Sequence, residues 1–348
     1  MRTEIVKIVS DNDLEGSLNS AANIIKSGGL VIFPTETVYG LGADATSSSA
    51  AMKIYSAKGR PQDNPLIIHV ACPEDADGYA YTNDTYYKLA RAFMPGPLTV
   101  VLKSRASVPP ETRGGLDTVA VRCPVNKIAR TLINMAGVPI AAPSANLSGS
   151  PSPTRPEHVI DDMMGRVDMI IDGGDCDFGL ESTIVRIDSS DSVTLLRPGK
   201  ITVGDIESLG ISVSVSDAVL SQLKEGERAE SPGMKYRHYA PKSPVLLIDG
   251  DVKSTLEYIK SEGKSSVGII AFSEDVDLFK REIPDAAVYE YSARDDEMGQ
   301  AHKLFDILRC ADKNAHDVIY APLPKSEGIG LALYNRLIRA AAYQIKKL

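Results

Sequence analysis

The sequence contains no tryptophan and only 6 phenylalanines in 348 residues. Stacking platforms for single-stranded nucleic acid are therefore poorly supplied. Its 4 cysteines are Cys72, Cys123, Cys176 and Cys310. None forms a C-x-x-C pair, and none stands at metal-ligand spacing from the 5 histidines. That pattern points to reduced thiols in a cytoplasmic protein, with no disulfide framework and no zinc site. The first ten residues alternate apolar and polar like a strand and have no signal-peptide core. No apolar run reaches membrane-spanning length, so no membrane association is expected. There is no G-x-x-x-x-G-K-[ST] loop and no G-x-S-x-G elbow. No carboxylate pair stands out as a metal cage, so no protein metal site is expected. Covalent catalysis and metal-hydroxide chemistry thus find little support. The formal net charge of -8 argues against bulk electrostatic attraction to nucleic acid. A local basic cleft remains open.

A chain of this length is comfortable for two domains. Helical periodicity covers residues 14–27, stopped by Gly28-Gly29, and residues 47–57, opened by a serine N-cap. Further helices are expected over 84–94 and 156–164. Strands are expected over 30–33, 66–70, 98–103, 118–123, 139–142, 169–172 and 182–187, with 194–196 closing the set. The irregular interleaving favours an α/β sheet of mixed direction. Beyond about residue 220 the pattern weakens, and 231–241 (SPGMKYRHYAP) is rich in aromatic and cationic groups. A passive spacer would be Gly/Ser-rich or uniformly charged. A second α/β unit begins at Pro244. Strands over 245–249, 267–272 and 318–321 and helices over 252–261 and 330–345 read as a small Rossmann-like sheet. Gly328-Ile329-Gly330 is weak evidence for a nucleotide site and more plainly a turn into the last helix.

Five places in the first part concentrate polar residues. In PTETVYGLG (34–42), period 2 puts Thr35, Thr37 and Tyr39 on one face. In KGRPQDNPLIIH (58–69), Lys58, Arg60 and Asn64 sit on a Gly/Pro-shaped loop, and His69 closes the strand that follows. A helix C-terminus explains Lys58 through the dipole but not the rigid run to Asn64. Period 2 then places Thr118, Ala120 and Arg122 on one face. An arginine on a buried strand needs an anion. That anion is a bound ligand or a structural carboxylate, and this segment does not distinguish the two. PSANLSG (143–149) supplies donors at Ser144, Asn146 and Ser148 among small side chains. Glu181-Ser182-Thr183 and Arg197-Pro198-Gly199 complete the group. Taken alone, His69 reads as a structural histidine. Together these residues suit the orientation of a nucleotide beside a small polar co-substrate.

The ordered set PTETVYGLG, KGRPQDNPLIIH, TVAVRCP, PSANLSG and ESTIV, followed by SPGMKYRHYAP, resembles the threonylcarbamoyl-AMP synthase family in its two-domain form. The resemblance implies a YrdC-like twisted mixed sheet over 1–215, a linker or lid over 216–243, and a smaller Rossmann-like α/β domain over 244–348. It implies a nucleotidyltransferase that condenses L-threonine, bicarbonate and ATP to threonylcarbamoyl-AMP and pyrophosphate. That reaction opens threonylcarbamoyladenosine formation in tRNA. Carried over by motif, Lys58, Arg60, Asn64, Thr118, Ser144, Ser152, Arg197 and Tyr236 would contact ATP, with Lys58 and Arg60 catalytic. Thr37, His69, Arg122, Ala142 and Ser182 would hold L-threonine. Mg²⁺ would ride on the phosphates. Hand-off to the tRNA threonylcarbamoyl transferase complex and weak RNA binding are further expectations. Two other readings compete. One is an RNA-binding translation factor using the basic cleft. The other is the carbamoyl-transfer domain of hydrogenase maturation, whose zinc-finger and acylphosphatase motifs this chain lacks.

Overall fold

In a computed structural model, residues 2–8, 14–221 and 239–348 are described. The chain divides into two compact units. Among described residues the second comprises Gly149–Pro151, Phe178–Leu180 and everything from 239 onward, and the first comprises the rest. No helix among the described residues is long and apolar enough to cross a membrane. All 4 cysteines are unpaired, with Cys123 and Cys176 buried.

In the first unit the strands are β1 (Glu4–Lys7), β2 (Val31–Phe33), β3 (Gly40–Asp44), β4 (Ile67–His69), β5 (Leu98–Lys103), β6 (Thr118–Arg122), β7 (Ile140–Ala141), β8 (Met169–Asp172), β9 (Thr183–Ile187), β10 (Ser192–Arg197) and β11 (Ser212–Val215). They form one sheet in the order β1-β8-β2-β3-β7-β4-β6-β5-β9-β10-β11. Direction is mixed: β4 runs parallel to β6, while β7 is antiparallel to both β3 and β4. The helices are α1 (Leu14–Lys26), α2 (Ser48–Lys58), α3 (Asp84–Phe93), α4 (Lys127–Ala136), α5 (Pro156–Met163), α6 (Val203–Glu207) and α7 (Asp217–Leu220). The apolar stripes of α1 (Leu14, Leu18, Ala21, Ala22, Ile25) and α4 (Ala129, Leu132, Ile133) meet Val31, Phe33, Ile140 and Met169 in the main core. Burying such stripes, more than helix propensity, stabilises helices of this length.

The second unit holds β12 (Val245–Asp249), β13 (Val267–Ala271), β14 (Ala287–Glu290), β15 (Val318–Pro322) and β16 (Ile345–Lys347), with α8 (Val252–Glu262), α9 (Val276–Glu282), α10 (Glu297–Asp312) and α11 (Gly330–Ala340). Its sheet, in the order β14-β13-β15-β12-β16, is parallel throughout. A mixed sheet followed by a smaller Rossmann-like α/β unit is thus the observed architecture.

Several elements differ from expectation. Residues 34–39 are a turn, so period 2 does not relate Thr35, Thr37 and Tyr39, and a strand (β3) follows instead. Strand β10 does not close the set, because β11 adds in parallel at its edge. Helix α7 falls inside the expected linker, yet its Ala218 packs with Ile67, Val101, Ala120, Ile184 and Leu196. In the second unit α9, β14 and α10 escaped notice. Buried Gln300 and the early Gly299 blur the apolar stripe of α10. The last helix stops at Ala340, and 345–347 pair with β12 as β16. The segment SPGMKYRHYAP, with Tyr236, lies outside the described residues up to position 238.

Candidate active site

All the described candidate residues lie in the first unit. The register of its central strands sorts them into two ends of one sheet face. Strands β4 and β6 pair Ile67 with Ala120 and His69 with Arg122. Antiparallel β7 sets Ile140 against His69, and the Ala142 amide donates to the Ile67 carbonyl at 2.9 Å. Two residues further out along these three chains lie Pro65, Thr118 and Ser144. One end therefore carries His69 and Arg122, and the other carries Thr118 and Ser144. Four residues of extended strand, about 13 Å, separate Thr118 from Arg122.

At the first end Arg122 Nη2 donates to Glu36 Oε1 at 2.7 Å, and both side chains are buried. Glu36 reaches it from the 34–39 turn. Thr35 Oγ1 shapes that turn by accepting the amides of Thr37 and Val38 at 3.2 Å and donating to the Val38 carbonyl. Since Thr35 has one hydroxyl proton, Thr37 Oγ1 donates to it across 2.9 Å. His69 Nδ1 lies 3.3 Å from the Ile140 carbonyl, so Nδ1 carries the proton of that bond. Burial, reinforced by the Arg122 charge, lowers the His69 pKa to about 3, against opposing bonds to the Ile140 and Ile67 carbonyls. The imidazole is neutral at physiological pH.

The same end extends across β5 and β9. Thr99 pairs in register with Arg122 and with Ile184, and its hydroxyl shares a 2.8 Å bond with Ser182 Oγ. Arg197 donates from Nε to the Ser182 carbonyl at 3.0 Å and from Nη2 to Ser182 Oγ at 3.2 Å. Gly199 makes this possible, since a Cβ there would stand 2.5 Å from the Thr183 amide nitrogen. Ser152 donates to Glu181 Oε1.

At the second end Lys58 is the last residue of α2. Gly59 caps the helix in the left-handed region at φ 62°, where a side chain would be strained. Lys58 is buried, and Nζ donates to the carbonyls of Ser144 and Asn146. Ser144 Oγ in turn donates to Asn146 Oδ1 at 2.6 Å. Arg60 Nε and Nη2 donate to the carbonyls of Asn64 and Pro65 at 3.2 and 3.0 Å. The Tyr55 hydroxyl reaches the Asn64 and Glu111 carbonyls, and burial pushes its pKa up to about 12. The 58–65 and 144–146 loops are thus fastened by cations bonded to backbone carbonyls.

The structure brings together His69, Arg122 and Ser182, with Thr37 beside Glu36 on the covering turn. Ala142 stands two residues from the level of His69. It also brings together Lys58, Arg60, Asn64, Ser144 and Thr118. Ser152 and Arg197, expected on the nucleotide, bond Glu181 and Ser182. Sequence reading missed two participants. Glu36 had a signal, as a carboxylate between two threonines in a Gly-rich motif. Thr99 had a weaker one, as the sole polar residue of LTVVL.

The Sua5/YciO/YrdC family model, described as telomere recombination, matches residues 23–199. A second model, the threonylcarbamoyl-AMP synthase C-terminal domain, matches residues 201–342. The threonylcarbamoyl-AMP synthase of Pyrococcus abyssi is 43% identical over 342 residues, covering 96% of each chain. The chain belongs to the threonylcarbamoyl-AMP synthase family. The Bacillus subtilis synthase is 39% identical over 348 residues, covering 98% of this chain and 97% of that one. A crystal structure of P. abyssi Sua5 complexed with L-threonine aligns with a TM-score of 0.88 at 40% identity over 100% of both chains. Family membership extends over both units.

Proposed function

We propose that this chain condenses L-threonine, bicarbonate and ATP to L-threonylcarbamoyl-AMP and pyrophosphate, the first step of threonylcarbamoyladenosine formation in tRNA. The observation that carries the reading is the division of one sheet face into an end lined by His69, Arg122 and hydroxyls and a cationic end at Lys58 and Arg60. Arg122, with its planar fork, takes the threonine carboxylate. Thr37, His69, Ala142 and Ser182 surround the rest of threonine. Lys58, Arg60, Asn64, Thr118 and Ser144 meet ATP, with Tyr236 from the 216–243 linker. Ser152 and Arg197, which also bond Glu181 and Ser182, contact ATP as well.

The threonine amine adds to carbon dioxide, released from bicarbonate, and loses a proton to give a carbamate. A carbamate oxygen attacks the α-phosphorus in line, the bond to the bridging oxygen breaks, and pyrophosphate leaves with that electron pair. No protein nucleophile is required; positioning and charge neutralisation by Lys58 and Arg60 carry the rate. Among the described residues no three His, Cys, Asp or Glu converge on a metal position. Glu36 and Glu181 are each already bonded. When bound, Mg²⁺ would ride on the triphosphate and supply neutralisation of phosphate charge beside Lys58 and Arg60.

The product is a labile mixed anhydride in the cytoplasm, so direct hand-off to the tRNA-modifying transferase is part of this reading. Crosslinking during turnover tests it, and no captured complex counts against it. The deciding assay is pyrophosphate release that needs ATP, L-threonine and bicarbonate together. Salt-dependent RNA affinity with no such turnover would favour an RNA-binding factor instead.

A further inference from the structure

Glu36 and Arg122 are 5% and 4% exposed, and their ion pair uses one oxygen and one nitrogen at 2.7 Å. The pair is incomplete. Glu36 Oε2 and Arg122 Nε are shielded from solvent and have no hydrogen-bond partner among the described residues. Buried polar atoms are nearly always bonded, and a charged one left unmet is expensive. The neighbouring hydroxyls are committed elsewhere. Thr35 serves the Val38 carbonyl, Thr37 serves Thr35, and Thr99 and Ser182 bond each other.

The two unmet atoms have opposite character. One is an anionic acceptor and the other a cationic donor, and they belong to one ion pair. An α-amino acid carries the complement, a carboxylate and an ammonium on a single carbon. We propose that Glu36 accepts the ammonium of L-threonine, so that the Glu36–Arg122 pair reads both charges of the zwitterion. The proposal rests on the assignment of threonine to this end of the sheet. A contact formed there excludes water and is correspondingly strong.

Glu36 also has a directional effect on the reaction. The ammonium first gives up one proton, which is taken up as bicarbonate dehydrates to carbon dioxide and water. The free amine then adds to carbon dioxide and releases a second proton to solvent, and the carbamate nitrogen keeps one N–H, which still donates to Oε2. The new carbamate oxygens are anionic and are repelled by Glu36. They turn away from it toward Lys58 and Arg60, where the α-phosphate is placed. Specificity then follows from charge: acids lacking an amine leave Oε2 unmet, and amines lacking a carboxylate leave Arg122 Nε unmet.

The test uses the full chain and the near-isosteric Glu36→Gln. Pyrophosphate release gives KM for L-threonine and for ATP. The deamino analogue 3-hydroxybutanoate, which keeps the carboxylate and side-chain hydroxyl with no donor in place of the amine, serves as a competitive inhibitor and reports binding without the ammonium. In Glu36→Gln the threonine KM should rise roughly 10- to 100-fold, as for loss of a charged hydrogen bond. The ATP KM and the inhibitor Ki should change by less than about twofold. A Ki weakened by the same factor as threonine would show that Glu36 only holds Arg122 in place, and would overturn the proposal. An unchanged threonine KM would overturn it too. If Glu36→Gln does not fold, Glu36→Asp keeps the charge at a shorter reach, and roughly 3- to 10-fold weaker threonine with an unchanged Ki is expected. In that variant, unchanged threonine binding or parallel loss of the inhibitor is the overturning result. A wild-type chain that releases no threonine-dependent pyrophosphate would instead remove the threonine assignment itself, so the two failures are distinct.

Discussion

The two ends of the sheet face are built from different kinds of bond. At the Arg122 end most of the bonds join side chains: Arg122 to Glu36, Thr99 to Ser182, Ser152 to Glu181, and Arg197 to Ser182, with Arg197 and His69 also bonding the Ser182 and Ile140 carbonyls. At the Lys58 end cationic side chains hold backbone: Lys58 to the Ser144 and Asn146 carbonyls, Arg60 to those of Asn64 and Pro65. The first arrangement suits selection of a small zwitterion, because each donor and acceptor has a set direction. The second suits a polyanion, because loops are fastened by the same cations that meet its charge. One end specifies and the other neutralises.

Four measurements would break or sharpen this contrast. Arg122→Ala should have the largest effect, about 3–5 kcal/mol in stability, since it leaves Glu36 buried without its partner. Chemical denaturation measures it. The Glu36→Ala/Arg122→Ala double variant should lose less than the sum of the singles, and strict additivity would break the claim of a coupled end. Arg60→Ala is next. Half-buried and bonded to the nearby Asn64 and Pro65 carbonyls, it should lower pyrophosphate release by roughly 10²–10³-fold while shifting the melting temperature little. Unchanged turnover would dissolve the neutralising end.

The third measurement concerns pH. The His69 pKa is depressed to about 3 in the fold, below its ordinary value of 6.5. Between these values the unfolded chain binds a proton that the folded chain does not. Stability is therefore full above about pH 6.5 and falls as pH drops toward 3, by up to about 1.4 kcal/mol per pH unit. His69→Gln should flatten that slope in denaturation curves taken from pH 7 to pH 4. An identical slope would place the acid sensitivity elsewhere. Smallest is Thr99→Val, which removes the bond to Ser182 and should cost about 0.5–1.5 kcal/mol. Its threonine KM should rise more than its ATP KM, and an equal rise would blur the two ends.

Much of the first unit was legible because its signals are local. Ser47 and Gly59 frame α2 by cap chemistry, and Gly59 alone tolerates the left-handed turn beside Lys58. The alternation of Thr118, Ala120 and Arg122 is a true strand period, and β6 spans those residues. The same rule misled at 34–39, where Thr35 bonds back to the chain and makes a turn. Helix α10 was missed because Gln300 is buried and bonds the Ala293 carbonyl, so its buried face is not purely apolar. Strand β16 was missed because all three of its residues are exposed at a sheet edge, leaving no burial pattern to read.

By itself, the sequence determined the chemistry on offer: a cationic loop, a hydroxyl-rich set and an arginine on a strand. Those are properties of residue type and short spacing. Only the tertiary structure decided which residues meet. It set Glu36 against Arg122, 86 positions apart. It set Arg197 on Ser182, 15 positions apart. The physical reason is register: one residue of slip in β6 or β5 would turn Arg122 or Thr99 to the opposite face. Register is imposed by the buried faces of the neighbouring strands, and no local spacing encodes it.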